Sequence, residues 1–281
     1  MSVTIRASTR VLAVLGDPVG HSLSPSFQNA AIQSAGLDGV YVAIRCSAAQ
    51  VEGVVRGLSW DGGGGNVTIP HKRRVAELLS DPDESVIRTG ACNTFWGADG
   101  EIHGTNTDVV GVRAAVRSLL GESASGARVV LLGAGGSARA AAVALLDDGA
   151  HRIEVANRSR ARATALISSL GDDRVVEASS DEAQWSGADL WVHATPLGLR
   201  PADPLRVQVT PLLRPKALLD LVYVRHGTTA LVDRARAAGV EAADGREMLL
   251  NQGAASFETW WGIPAPMAAM RQALDAAAGP A

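Results

Sequence analysis

The chain has 281 residues, 47% hydrophobic and 20% charged, with a net charge of −3; this length suits one large or two medium domains and closes a core without metal or disulfide. Two cysteines, Cys46 and Cys92, are too few for a disulfide scaffold, no Cys/His cluster offers a metal site, and the charge gives no reason to expect nucleic acid or an anionic membrane as partner. No apolar run reaches the ~18 residues of a membrane span and no signal-peptide core precedes Gly16, so a soluble, reducing, cytoplasmic setting is expected.

From the N-terminus, residues 11–15 read as a buried strand. Ser24 as N-cap and Pro25 as first helical residue open a helix to about residue 35, ended by Gly36. A strand at 40–44 and a helix at 48–58 follow. After four glycines at 62–65, a strand at 67–69 stops at Pro70, and a helix runs from 72 to 79. Residues 91–96 and 101–104 read as a hairpin around 97–100. Asn106-Thr107-Asp108 leads into a helix to about 120, and 121–126 is a polar break. Strands at 128–132, 153–156, 175–178, 190–193 and 217–221 then have helices between most of them, the first at 137–146. Two helices, 248–260 and 266–277, close the chain. The pattern is α/β, and its second half has the order of a doubly wound dinucleotide-binding domain.

The strand at 128–132 runs into Gly133-Ala134-Gly135-Gly136-Ser137-Ala138, which fits G-x-G-x-x-G/A between strand and helix. Gly133 permits the tight turn, Gly135 lets backbone approach a pyrophosphate, and Ala138 lets the helix pack close. The helix N-terminus offers N–H donors to phosphate. The next strand ends at Asn157-Arg158-Ser159, with Arg160 and Arg162 beyond, where an NAD enzyme usually carries an acid for the ribose 2′-hydroxyl. Guanidinium groups there favour the 2′-phosphate of NADP; the plainer reading is surface arginines in an arginine-rich chain.

Three polar stretches of the first half exceed what strand and helix need. Ser22 and Ser24 alternate at a strand-to-helix corner, where hydroxyls could meet a polyol or carboxylate; capping explains Ser24 well and Ser22 poorly. Asn66 and Thr68 share a strand face, and Lys72 follows the Pro70 turn at a strand's carboxyl end. Lys72 and Lys216 are the only lysines beside 24 arginines, and lysine, unlike arginine, can exchange a proton. Asn93 and Asp108 lie in the third stretch. Asp108 reads equally as a first-turn helix acid or as the carboxylate partner of Lys72. His21, His71 and His103 read as packing or turn histidines, and Trp260-Trp261 as core or interface.

These residues together resemble the shikimate dehydrogenase family. The matching stretches are residues 16–25, 66–72, 90–94, 106–108, 133–136, 157–159, 194–198, 220–223 and 245–252, in the family's order along nearly the whole chain. The resemblance implies a substrate domain of residues 1–105 plus 245–281, a Rossmann NADP-binding domain of residues 106–244, and an active site in the cleft between them. It implies reversible NADPH-dependent reduction of 3-dehydroshikimate to shikimate, in aromatic amino-acid biosynthesis. Lys72 and Asp108 would be catalytic, and Ser22, Ser24, Thr68, Asn93 and Gln252 would hold substrate, with Tyr223 near both ligands. Gly133, Ala134, Gly135, Gly136, Ser137, Asn157, Arg158, Ser159, Arg162, Thr195 and Gly245 would hold NADP. The chain departs from the family's usual pattern at Gln28 (often His), His193 (often Asn) and 224–226 (usually Asn-Pro). A quinate or aminoshikimate dehydrogenase, with NAD in some relatives, is the alternative, and a non-catalytic NADP sensor a further one. Monomer and homodimer both suit the architecture.

Overall fold

The computed structural model describes residues 5–200, 203–204 and 207–279. It divides into two compact units, one of residues up to Thr107 plus those from Gln252 onward, the other Asp108–Asn251.

The first unit is built on a five-stranded sheet, ordered β2-β1-β3-β4-β5. Its strands are β1 (Arg10–Gly16), β2 (Gly39–Arg45), β3 (Gly64–Val67), β4 (Thr94–Ala98) and β5 (Glu101–Thr105). The first three are parallel, and β4 and β5 add an antiparallel hairpin. Its helices are α1 (Ser24–Ser34), α2 (Val51–Trp60), α3 (Lys72–Ala76) and α4 (Glu84–Thr89). Leu15, Val51, Val55, Val67, Val75 and Phe95 form the core between sheet and helices.

Two expectations fail here for steric and hydrogen-bonding reasons. The strand expected at 67–69 lies earlier, at Gly64–Val67. A Cβ on Gly65 would sit 2.0 Å from the Ala13 carbonyl oxygen, and one on Gly64 2.4 Å from that of Phe95. Glycine is poor strand material in isolation, but β1 and β4 close on β3 too tightly for anything larger. Ser24 is not an N-cap: Leu23 takes that place, and Ser24 is the first helical residue. The hydroxyl of Ser22 instead accepts the Ser24 N–H at 3.2 Å. Helix α4, capped by Asp83 whose carboxylate accepts the Val86 N–H, was not expected.

The second unit holds a six-stranded parallel sheet, ordered β11-β10-β9-β6-β7-β8. Its strands are β6 (Arg128–Leu132), β7 (Arg152–Ala156), β8 (Val175–Glu177), β9 (Leu190–His193), β10 (Ala217–Asp220) and β11 (Glu241–Ala243). Read from β8 to β11 this is the doubly wound dinucleotide-binding order, with the switch point between β6 and β9. Helices α5 (Asp108–Leu120), α6 (Gly136–Asp147), α7 (Arg160–Leu170) and α8 (Ala230–Ala237) flank it. Alternate side chains of β6 feed separate cores: Val129 and Leu131 meet α5 and α6, while Val130 and Leu132 meet Trp185, Trp191 and α8. Burial on both faces explains the continuous apolar runs.

Two last helices are α9 (Arg246–Trp261) and α10 (Met267–Ala278); α10 packs against α1. Trp260 is core, its indole N–H donating to Phe95 O at 3.1 Å. Among the described residues no helix is long and apolar enough to cross a membrane.

Candidate active site

In the first unit, two loops leave the carboxyl ends of β1 and β3 side by side. Asp17 N–H donates to Ile69 O at 3.1 Å, and Thr68 N–H to Leu15 O at 2.8 Å. A Cβ at Gly16 would meet the Thr68 methyl at 2.5 Å, so glycine is what lets them approach. The first loop carries Ser22, half-buried, and Ser24, buried; the second carries Thr68 and Lys72, both half-buried. Lys72 opens α3. Its carbonyl accepts the Cys92 N–H at 3.0 Å, which sets the start of α3 beside the turn bearing Asn93. His71 is buried and bonded through Nε2 to Cys46 O at 2.7 Å, a packing role. Lys216 is a surface partner of Asp189 at 2.6 Å, which leaves Lys72 as the lysine of this loop region.

Asn93 and Gln252 are brought together within a buried polar network. Asn93 Nδ2 donates to Thr107 Oγ1 at 3.0 Å and to Gln252 Oε1 at 3.3 Å, and Asn93 Oδ1 accepts the Thr107 N–H at 2.8 Å. Ser256 Oγ lies 2.9 Å from Thr94 Oγ1 and 3.1 Å from Thr107 Oγ1, and donates to Gln252 O at 2.8 Å. Asn66 Nδ2 reaches both Thr94 and Ser256, and Tyr41 donates to Asn66 Oδ1 at 2.7 Å. A network satisfied at so many members holds its amides in one orientation. Thr94, Thr107 and Ser256 are absent from the expected site set. Ser256 was detectable, since it lies one helical turn from Gln252 on α9. Burial pushes the neighbouring Cys92 thiol up to about 12.

In the second unit, Gly133 follows β6 with φ of +126°, and a Cβ there would stand 2.8 Å from Ala194 O. Gly135 is the N-cap of α6, and a Cβ on Gly135 or Gly136 would meet nothing within 4 Å. The space over the helix start is open, while Ala138 behind it is fully buried. Ala134 and Ser137 flank this turn, both half-buried. That cradle fits a dinucleotide's diphosphate.

Beyond β7, Arg158, Ser159, Arg160 and Arg162 are all exposed. Asn157 Nδ2 donates to Ser159 O at 2.9 Å and fixes the turn. Arg160 is engaged by Glu177, at 2.9 Å. Arg158 and Arg162 have no ion pair among the described residues, and no acid stands at the end of β7. The donor set fits a phosphate on the 2′-hydroxyl.

Thr195 follows β9, half-buried, its methyl 3.2 Å from where a Gly133 Cβ would be. Gly245 is buried, and a Cβ on it would meet Leu221 O at 2.3 Å. Asp108 is buried as the first residue of α5, and Tyr223 is half-buried after β10. Among the described residues no group of three or more His, Cys, Asp or Glu side chains is placed to hold a metal.

The pattern for the shikimate dehydrogenase substrate binding domain matches residues 14–95, that for shikimate/quinate 5-dehydrogenase 115–196, and that for the shikimate 5′-dehydrogenase C-terminal domain 245–274. The chain is 38% identical over 281 residues to a shikimate dehydrogenase (NADP(+)) of Microcystis aeruginosa, covering 96% of this chain and 98% of that one. The chain belongs to the shikimate dehydrogenase family. Solved shikimate dehydrogenases share the fold. One in complex with NADP+ has a TM-score of 0.88 at 32% identity, covering 99% of this chain and 98% of that one. The Thermus thermophilus shikimate 5-dehydrogenase in complex with shikimate has a TM-score of 0.84 at 34% identity, covering 96% and 99%. As a family member the chain is an oxidoreductase with an α/β substrate-binding domain and a Rossmann-type domain.

Proposed function

We propose that the chain catalyses the reversible NADPH-dependent reduction of 3-dehydroshikimate to shikimate. Residues 1–105 with 245–281 form the substrate domain and residues 106–244 the cofactor domain. Ser22, Ser24, Thr68, Asn93 and Gln252 hold the substrate's carboxylate and hydroxyls, with Tyr223 near them. Gly133 to Ser137 and Gly245 take the cofactor's diphosphate and nicotinamide ends, Thr195 lies beside them, and Asn157, Arg158, Ser159 and Arg162 take the 2′-phosphate. NADPH, when bound, supplies the hydride. The Lys72 ammonium gives a proton to the C3 carbonyl oxygen as the C3–H bond forms, and in the reverse direction its amine takes the hydroxyl proton back. Asp108 is the carboxylate that holds Lys72 in position. The enzyme works in the cytoplasm on a small molecule, as monomer or homodimer, with neither nucleic acid nor membrane as partner.

The observation that carries this reading is the near end-to-end match to NADP(+)-dependent relatives in a chain that keeps Lys72 and Asp108. The unpaired Arg158 and Arg162 support the choice of NADP over NAD. A second reading, quinate as main substrate, has Gln28 behind it. This residue is fully buried and donates to Gly253 O at 2.8 Å beside Gln252. Following nicotinamide absorbance with shikimate or quinate against NADP or NAD separates them. Highest kcat/KM with shikimate and NADP supports the proposal; preference for quinate supports the second reading; no turnover with any pair overturns both.

A further inference from the structure

A chain of short hydrogen bonds runs along the carboxyl edge of the six-stranded sheet. His193 ends β9 and Asp220 ends β10, and the two are register partners. Both are buried, His193 at 4% and Asp220 at 0% exposure. His193 Nδ1 lies 2.8 Å from Asp220 Oδ1, and His193 Nε2 lies 2.6 Å from Thr195 Oγ1. Asp220 also accepts the Val222 N–H at 3.1 Å and the Thr229 hydroxyl at 2.6 Å.

With the imidazole neutral, proton accounting gives the directions of these bonds. Asp220 faces donors on both oxygens, so it is an acceptor-only carboxylate and the proton of the shared contact sits on His193 Nδ1. The neutral ring then has only a lone pair at Nε2, and Thr195 must donate its hydroxyl proton to it. Thr195 Oγ1 accepts the Leu197 N–H at 3.3 Å, and its remaining lone pair is left for a ligand.

We propose that His193 is a positioning residue that holds the Thr195 hydroxyl as a hydrogen-bond acceptor for a donor on the dinucleotide, a ribose hydroxyl or the carboxamide N–H, rather than for a phosphate oxygen. This rests on the reading that Thr195 touches the cofactor.

The test measures NADPH dissociation constants by fluorescence at one fixed pH for the wild type, His193→Asn, Thr195→Val, Thr195→Ser and the double variant His193→Asn/Thr195→Val. Thr195→Val and His193→Asn should each weaken binding about fivefold, the size of one hydrogen bond. The double variant should be no worse than either, and Thr195→Ser should bind as the wild type. Unchanged binding in Thr195→Val overturns the cofactor contact of Thr195 and the inference with it. Weakened Thr195→Val binding together with additive losses in the double variant, or with unchanged binding in His193→Asn, overturns the inference alone. Should His193→Asn fail to fold, Thr195→Ser binding as weakly as Thr195→Val is the refuting result.

Discussion

Three arginines within six residues of β7's end make an internal control for cofactor choice. Arg160 is held by Glu177 at 2.9 Å, while Arg158 and Arg162 have no ion pair among the described residues. A charge-assisted hydrogen bond to phosphate is worth about 1.5–3 kcal/mol when sheltered. All three side chains are exposed, so solvent screening reduces that to about 1–1.5 kcal/mol, a factor of roughly 5–12 in affinity. Arg158→Gln and Arg162→Gln should each lower kcat/KM for NADPH by that factor and leave NADH nearly unchanged. Arg160→Gln should move neither by more than about twofold, because it removes a surface pair with Glu177. Steady-state kinetics with both nucleotides reads this directly, and the losses should shrink with added salt. An Arg160→Gln loss as large as that of Arg158→Gln, or equal losses with NADH, would refute the assignment of the 2′-phosphate to the unpaired guanidinium groups.

Other consequences are equally measurable. Gly65→Ala places a Cβ 2.0 Å from Ala13 O and should cost about 3 kcal/mol or more in denaturant unfolding, whereas Gly57→Ala, with open space around it inside α2, should gain about 0.5–1 kcal/mol. Burial pushes the Glu154 carboxyl up, but Arg128 and Arg152 outweigh it and hold the group below the usual range. Its contribution is therefore full above the unfolded value of about 4.3 and is lost as pH falls through the lower folded value. Glu154→Gln should cost about 1 kcal/mol at neutral pH and steadily less in acid, as read by urea unfolding at several pH values. With its thiol pushed up to about 12 and no exposure, Cys92 should stay silent to thiol reagents at pH 8 until the chain unfolds.

The cofactor half was the more legible in sequence. Residues 128–132 and 190–193 coincide with β6 and β9 because strands buried on both faces carry uninterrupted apolar runs. β11, three residues with an exposed Glu241, carries too little pattern to be seen. In the first unit β3 was hidden because close approach selects glycine there against its local preference. The serine corner was read with its roles reversed, since only the backbone angles reveal that Leu23 takes the cap position. Arg160 could not be told from Arg158 without Glu177, which reaches it from β8. Asn93 and Gln252 were named, but their cement, Thr107, Thr94 and Ser256, is made by contacts between distant segments.

The claim that most needs testing is that Lys72 gives the proton. Lys72→Met keeps most of the length of the side chain, one heavy atom shorter, and removes the exchangeable proton. General acid catalysis is worth about 10²–10⁴ in rate, so kcat for 3-dehydroshikimate reduction should fall by that range, with NADPH affinity within about twofold of the wild type. A Lys72→Met enzyme turning over at near the wild-type rate would contradict the account.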